Sequence, residues 1–406
     1  MWFVVLVALV VLGFIVLRAV HFVRYLPKGE RLRHFPGVLG ATARSNSLGE
    51  VDVSTENDWL APQAQTNGTI KWAAMEVRED LVSHPQQVCT EGNAIELHDL
   101  DVDGTALLFK IGAGGDGYEG YLQARDGSGV VFARGGAHGT GELLGGSVDH
   151  GRVGWLRKDP VSHQIQVWRW DAASGDRLIH TFDYQVAKGR DYAFAWVLIA
   201  GDVTAVTFLP GQHGSVVVHH PDHGVVHLAS TSFPTLHRDL VAEARGLRRA
   251  AVNVLLPGHP QGVAAQLDLD SWPPTLTSVA NEFFPGASLQ MGQILGYLRR
   301  QRVLRIPNAP QVSLSQGLIT DPVGDGQFVA AGYFDPPGQS AHSRESDAVL
   351  IDSVAGRRQT LTKHLKARMY LRGDFVAWGQ AAPRWPTEGP EPRTGVTGWV
   401  AQLVRD

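Results

Sequence analysis

Asp149–Phe182 reads DHGRVGWLRKDPVSHQIQVWRWDAASGDRLIHTF, and its pattern decides the fold class. A turn leads into an alternating run with Val153 and Trp155. Pro160 breaks it, and a second apolar run follows with Ile165, Val167, Trp168 and Trp170. The Asp171–Asp176 break (DAASGD) opens a third run with Leu178, Ile179 and Phe182. Alternation at period two, punctuated by Gly, Asp, Pro and Ser, predicts short antiparallel strands joined by hairpins. One such unit cannot bury both apolar faces, so it needs repeated neighbours.

Similar openings recur on either side of this stretch. They are NGTIKWAAMEV at Asn67, DGTALLFKIGA at Asp103, HGRVGWLRKD at His150 and RDYAFAWVLIA at Arg190. LRRAAVNVLL at Leu247, DGQFVAAGYF at Asp325 and RGDFVAWGQA at Arg372 complete the series. The openings at Asp103, His150 and Arg190 keep the spacing of β-propeller blades, about 40–50 residues. The predicted fold is all-β: a propeller of about seven four-stranded blades over residues 66–406, a ring that protects its sheet edges. The steps from Arg190 to Leu247 and from Leu247 to Asp325 are long, so six or eight blades stay open. Residues 280–303 (ANEFFPGASLQMGQILGYLRRQRV) carry Phe283, Phe284, Leu289, Ile294, Leu295 and Leu298, and read either as a helical insertion begun by Pro285 and Gly286 or as an irregular blade.

Asp101–Gly129, DVDGTALLFKIG…GYEGYLQARDGSG, resembles the WD40-like (PD40) repeat of TolB-type propellers, and Ala348–Arg357 repeats its closing half. Val102 stands where that pattern usually has Pro. The resemblance implies a scaffold for protein contacts, most often outside the cytoplasm, and brings no catalytic residue with it.

Met1–Leu17 carries no charged side chain, and Trp2 and Tyr25 sit where interfacial aromatics belong. Residues 1–24 are therefore predicted to be a single transmembrane anchor helix, with Arg18 snorkelling to the interface. No basic n-region and no small-residue cleavage site accompany the run, which argues against a cleaved signal. Arg18, Arg24, Lys28, Arg31 and Arg33 all follow it. The positive-inside rule then favours an outside N-terminus and a cytoplasmic propeller, with an exported propeller as the alternative. Residues 25–65, with Pro27, Pro36 and Pro62, read as a linker.

Among 406 residues, 44% are hydrophobic and 19% charged, the balance of a globular chain. A net charge of −4 argues against a partner bound through nucleic-acid phosphates. Cys89 is the only cysteine, which excludes an intramolecular disulfide and a thiolate cluster. Asp99, Asp101, Asp103 and Gly104 match the front half of a calcium loop, but its twelfth position is Lys110 in place of a bidentate Glu. Capped turns account for the same aspartates. His213, His219, His220, His223 and His227 crowd one hairpin, and His219 and His220 point to opposite strand faces. Gly112–Gly117 (GAGGDG) lies between two strands and opens no helix, so it reads as a hairpin loop. The basic runs Arg245, Arg248, Arg249 and Arg299, Arg300, Arg302, Arg305 read as solvated faces that could meet anionic lipid.

No nucleophile elbow, P-loop, dinucleotide fingerprint or zinc-protease motif occurs. The sequence thus leads to an expectation of no catalytic, cofactor or metal residues and no enzyme. It describes an accessory or structural subunit of an integral membrane complex, respiratory or photosynthetic in type, with lipid contacts through the anchor and its basic flank. An exported binding propeller for a peptide, glycan or envelope protein is the alternative, and a channel-based lyase or hydrolase is the third reading.

Overall fold

The computed structural model describes residues 68–405, except 90–93, 112–117, 136–141, 160, 184–193, 210–213, 232–234, 257–258, 279–287, 299–300, 335–345, 366–367 and 382–395. By its contacts the chain divides into Leu48–Leu255 with Gln261–Asp406, and Met1–Ser47 with Leu256–Pro260. The first of these units carries a seven-bladed β-propeller. The expected anchor, residues 1–24, and linker, 25–65, lie outside the described residues. Among the described residues no helix is long and apolar enough to cross a membrane.

Blades 1 to 3 are regular meanders. Blade 1 comprises Ala94–Leu100, Ala106–Ile111, Tyr118–Gln123 and Gly129–Gly135. Blade 2 comprises Glu142–Asp149, Arg152–Asp159, Gln164–Asp171 and Gly175–Asp183. Blade 3 runs Phe194–Ala200, Val203–Leu209, Gly214–His220 and Gly224–Thr231. Blade 4 has Leu236–Arg238, Arg249–Leu256, His259–Asp268 and Thr275–Ser278, with a one-turn helix, α1 (Leu240–Glu243), between its first two strands. Blade 5 is built from Ser288–Gln290, Gln293–Leu298, Val303–Arg305 and Gln311–Ser313, and blade 6 from Leu318–Gly324, Phe328–Phe334, Ser346–Asp352 and Arg357–Leu365. In blade 7, Tyr370–Arg372, Phe375–Ala381 and Val396–Leu403 come from the C-terminal end, and Val82–Cys89 supplies the fourth strand. Val82 pairs with Leu403 and Gln86 with Val400 in antiparallel register. Strands from both ends of the described chain thus share one sheet and lock the ring, and the first strands of the seven blades neighbour one another around the axis.

The core is a set of layers between adjacent blades. Between blades 1 and 2, Phe109, Phe132, Val148 and Trp155 are buried together. Trp155 stacks on Trp168 at 5.9 Å, and its indole N–H donates to the Tyr118 hydroxyl at 3.0 Å. The next layer joins Leu156, Ile165 and Val167 to Val197, Val206 and Phe208 of blade 3. Gly154 permits that approach, since a Cβ there would lie 2.4 Å from the Ile199 side chain.

Three expectations are corrected. The segment from Asn67 opens no blade: Thr69–Lys71 pairs in parallel with Gln311–Ser313 on blade 5, and Glu76–Val77 with Arg357–Arg358 on blade 6. Residues 288–305 form the first three strands of blade 5 rather than a helical insertion. Leu289, Ile294 and Leu295 are buried across a tight turn at Met291–Gly292, whose φ angles are 48° and 76°. Phe283 and Phe284 lie outside the described residues. Finally, the openings at Asp103, His150, Leu247, Asp325 and Arg372 lead into second strands, whereas the one at Arg190 leads into the first strand of blade 3. The long steps are explained by α1 and by blade 5, whose short strands carry too few residues to show alternation.

Candidate functional site in the central channel

The first strand of each blade lines the axis, so residues far apart in sequence meet there. At the C-terminal ends of these strands the channel is closed by ion pairs. Arg372 of blade 7 is 2% exposed. It donates to the Val148 carbonyl at 2.6 Å, the Leu100 carbonyl at 3.4 Å and Asp101 Oδ1 at 3.2 Å. It also pairs with Asp149, and its Nε reaches the two Glu243 oxygens at 3.1 and 3.2 Å. Arg238 of blade 4 donates to the carbonyls of Val148 at 3.1 Å and Ile199 at 2.9 Å. α1 brings Glu243 to this closure, and Asp239 caps the helix by accepting the Ala242 N–H at 3.0 Å. Burial pushes Asp149 up, but the charges of Arg238 and Arg372 outweigh it and hold the carboxyl at about 2. Burial opposes the Arg372 charge, yet Glu243 and the aspartates hold it protonated above the usual arginine range.

Two aspartates of the apparent calcium loop are inter-blade acceptors. Asp99 takes the Ser147 hydroxyl and the Val148 N–H, each at 2.9 Å. Asp101 takes the N–H groups of His150 at 2.9 Å and Gly151 at 2.7 Å. Blade 2 repeats the device toward blade 3: Ser147 accepts the Ile199 N–H at 3.3 Å and Asp149 the Gly201 N–H at 2.6 Å. Asp103 caps its own turn at the Thr105 N–H, 2.8 Å away, and Gly104 takes φ +85°. Asp101, Asp149 and His150 offer one atom each within 4.8 Å of one another, but Arg372 already supplies a cation to both carboxylates.

On the strand side of the closure lies a cavity of about 110 Å³, open to solvent. His98, Trp196, His237, Asp321, Arg368 and Tyr370 line it, with Asp99, Ser147, Arg238 and Arg372 toward the closed end. The Arg368 guanidinium lies 3.7 Å from the centre of the Trp196 ring. Asp321 is 3.9 Å from it, beyond hydrogen-bond reach. Burial lowers Arg368 below the ordinary arginine range. Burial, assisted by the Arg368 charge, pushes His237 down to about 3, so its imidazole is neutral at pH 7. Burial raises Asp99 and Tyr370, and the Tyr370 hydroxyl donates to the Leu97 carbonyl at 3.3 Å. His98 Nε2 is buried and faces Glu96 Oε2 at 3.5 Å. The channel therefore combines a desolvated cation, neutral hydrogen-bonding rings and an aromatic wall.

The histidine hairpin does not converge. His219 is half-buried between blades 2 and 3 beside His180, and burial lowers it. His220 and His223 lie 4.5 Å apart at the hairpin tip, and His223 stacks on Trp272. His227 stands opposite Val217 on the neighbouring strand. His213 is outside the described residues, as are Gly112–Gly117, Arg299 and Arg300. Arg248 pairs with Asp270 at 3.0 Å, Arg249 with Asp268 at 3.5 Å, and Arg302 donates to the Ser315 carbonyl at 2.6 Å. Sequence reading missed Trp196, His237, Arg238, Asp321, Arg368 and Tyr370, and took Arg372 only as a strand opening. No local spacing signals them, because they come from different blades.

No family model matches the chain, and no curated protein matches it. Solved structures share its fold. A prolyl endopeptidase is 13% identical at a TM-score of 0.42, over 72% of this chain and 44% of that one. The propeller domain of the Trilobed protease from Pyrococcus furiosus is 10% identical at 0.41, over 78% and 97%. TolB from Acinetobacter baumannii is 9% identical at 0.35, over 70% and 59%. This chain spans under half the length of the prolyl endopeptidase. A gluconolactonase-like protein, an aldose sugar dehydrogenase and a puromycin hydrolase also share the fold. The expectation that the chain is not an enzyme is corrected on this point: most of these structures are enzymes, so a propeller without sequence motifs gives no ground for that exclusion. At such identities the likeness is one of fold, and it brings no activity to this chain.

Proposed function

We propose that the protein is a membrane-tethered propeller that binds a small polar ligand in its blind central channel. The observation that carries the reading is the cavity of about 110 Å³, closed at one end by Arg372 and Arg238 and lined by aromatic and titratable side chains of several blades. Concave sites with a few convergent polar groups are where small ligands are held. The tether is Met1–Leu17, with Arg18, Arg24, Lys28, Arg31 and Arg33 placing the propeller on the cytoplasmic face; export is the alternative. The test is thermal unfolding of wild type and Trp196→Ala against a panel of small polar metabolites. A compound that raises the wild-type midpoint and leaves Trp196→Ala unmoved supports the channel site. Equal shifts in both proteins contradict it.

A second reading, an accessory subunit of an integral membrane complex, is favoured by one surface feature. Val130 and Val131 on the outer strand of blade 1 and Leu178 on that of blade 2 are 50%, 41% and 46% exposed. These strands touch, so exposed apolar side chains of both blades lie along one outer strip of the ring, a surface suited to a protein partner. Stoichiometric co-purification from source membranes, lost in a Val130→Lys, Leu178→Lys double variant, is the expected result. Co-purification that survives this variant contradicts the strip as the contact.

A further inference from the structure

The two ends of the channel treat their guanidiniums differently. Arg372 and Arg238 are saturated by carbonyls and carboxylates of neighbouring blades. Arg368 is fixed in place by the Trp196 ring, half-buried at the cavity wall, with its nearest carboxylate, Asp321, 3.9 Å away. A guanidinium has five donors in a planar fork that matches an oxyanion. Stacking restrains the fork while leaving its edge available. Around it stand the His237 imidazole, neutral at pH 7, and the Tyr370 ring. A desolvated cation whose fork is not filled by oxygens of the described residues, next to a neutral imidazole and open cavity volume, is the arrangement an anionic group completes.

We infer that the channel binds its ligand through a carboxylate or phosphate group held on the edge of Arg368, with the His237 imidazole as a hydrogen-bonding partner. This rests on the channel being the ligand site. The rest of the ligand would lie toward Tyr370 and the closed end. Asp321 disfavours a second negative group on its side of Arg368, so the preferred ligand carries a single anionic head and a neutral polar body.

The test is isothermal titration of the full-length protein in detergent with sodium phosphate and with sodium lactate, at constant ionic strength set by chloride. Wild type and Arg245→Gln, which alters an exposed arginine, are expected to bind at least one of the two saturably. Arg368→Lys keeps the charge and loses the fork, and is expected to weaken binding about tenfold; Arg368→Gln should weaken it beyond about a hundredfold. Binding of phosphate alone, or of lactate alone, identifies which oxyanion the site takes. Should Arg368→Gln fail to fold, judged by circular dichroism, the loss in Arg368→Lys carries the test. Unchanged binding in the Arg368 variants, or no binding of either anion to wild type, overturns the inference. A neutral compound that still gives a Trp196-dependent thermal shift would then leave the channel reading standing; without one, both fall.

Discussion

Arg372 shows how one side chain holds several blades. It reaches blades 1 and 2 and the helix of blade 4 from the first strand of blade 7. Replacing it by Met leaves Asp101 buried without its ion pair, and Asp149 with Arg238 alone. The expected loss is about 3–5 kcal/mol in urea unfolding; a loss below 1 kcal/mol would mean the network is dispensable. Asp149 also sets a pH window. Its folded value, about 2, lies below its unfolded value near 3.8, so its contribution is complete above pH 4 and lost as pH falls toward 2. Arg372→Met should flatten that loss. His237 acts at higher pH. Folded at about 3 against 6.5 unfolded, it costs the native state stability as pH drops below 6.5, because only the unfolded chain takes up the proton. His237→Gln is expected to lose less stability than wild type between pH 7 and 5; parallel curves would contradict a buried neutral imidazole. None of these residues was legible in the sequence as a site. Asp99 and Asp101 were read as caps of their own turn, and each does accept the N–H of the following residue, but a D-x-D-x-D-G string does not reveal that the two carboxylates also turn to the N–H groups of the next blade.

Among elements, the strand Val82–Cys89 carries the closure. Its partner, Val396–Leu403, would otherwise end the sheet with an unpaired edge. Removing residues 1–67 is expected to leave a folded, monodisperse domain. Removing residues 1–90 should lower the midpoint of thermal unfolding by about 10 °C or more and promote aggregation. Equal midpoints would show that the ring does not depend on this strand. Within the layers, Trp155→Ala removes a fully buried ring that touches Phe132 and Trp168, at an expected cost of about 3–5 kcal/mol. The strands of blades 1, 2 and 3 were readable because alternation there is long and bounded by glycine-containing turns. Blade 5 was not. Its first strand, Ser288–Gln290, and two later ones have three residues each, too few for a period, and the apolar spacing across their turns imitates a helix. The segment at Asn67 failed differently: an apolar run cannot tell a first strand from one added in parallel at a blade's outer edge.

At the scale of the molecule, the ring and the tether make separate claims. The all-β propeller and its seven blades were anticipated, although the seven openings included one at Asn67 that begins no blade and omitted blade 5. The channel site was beyond reach because ring closure alone brings Trp196, His237, Arg368 and Tyr370 together. The tether is tested by moving positive charge from Arg24–Arg33 to before Trp2. Protease accessibility of the propeller in sealed vesicles should invert, and unchanged accessibility would contradict the charge argument. The central claim is that the blind channel holds a small ligand. Native mass spectrometry of the full-length protein, purified in mild detergent from its source membranes, tests it most directly. The account predicts a bound small molecule of defined mass, present in wild type and absent from Trp196→Ala and Arg368→Gln. A wild-type protein of bare chain mass, or a bound species that persists unchanged in both variants, would contradict it.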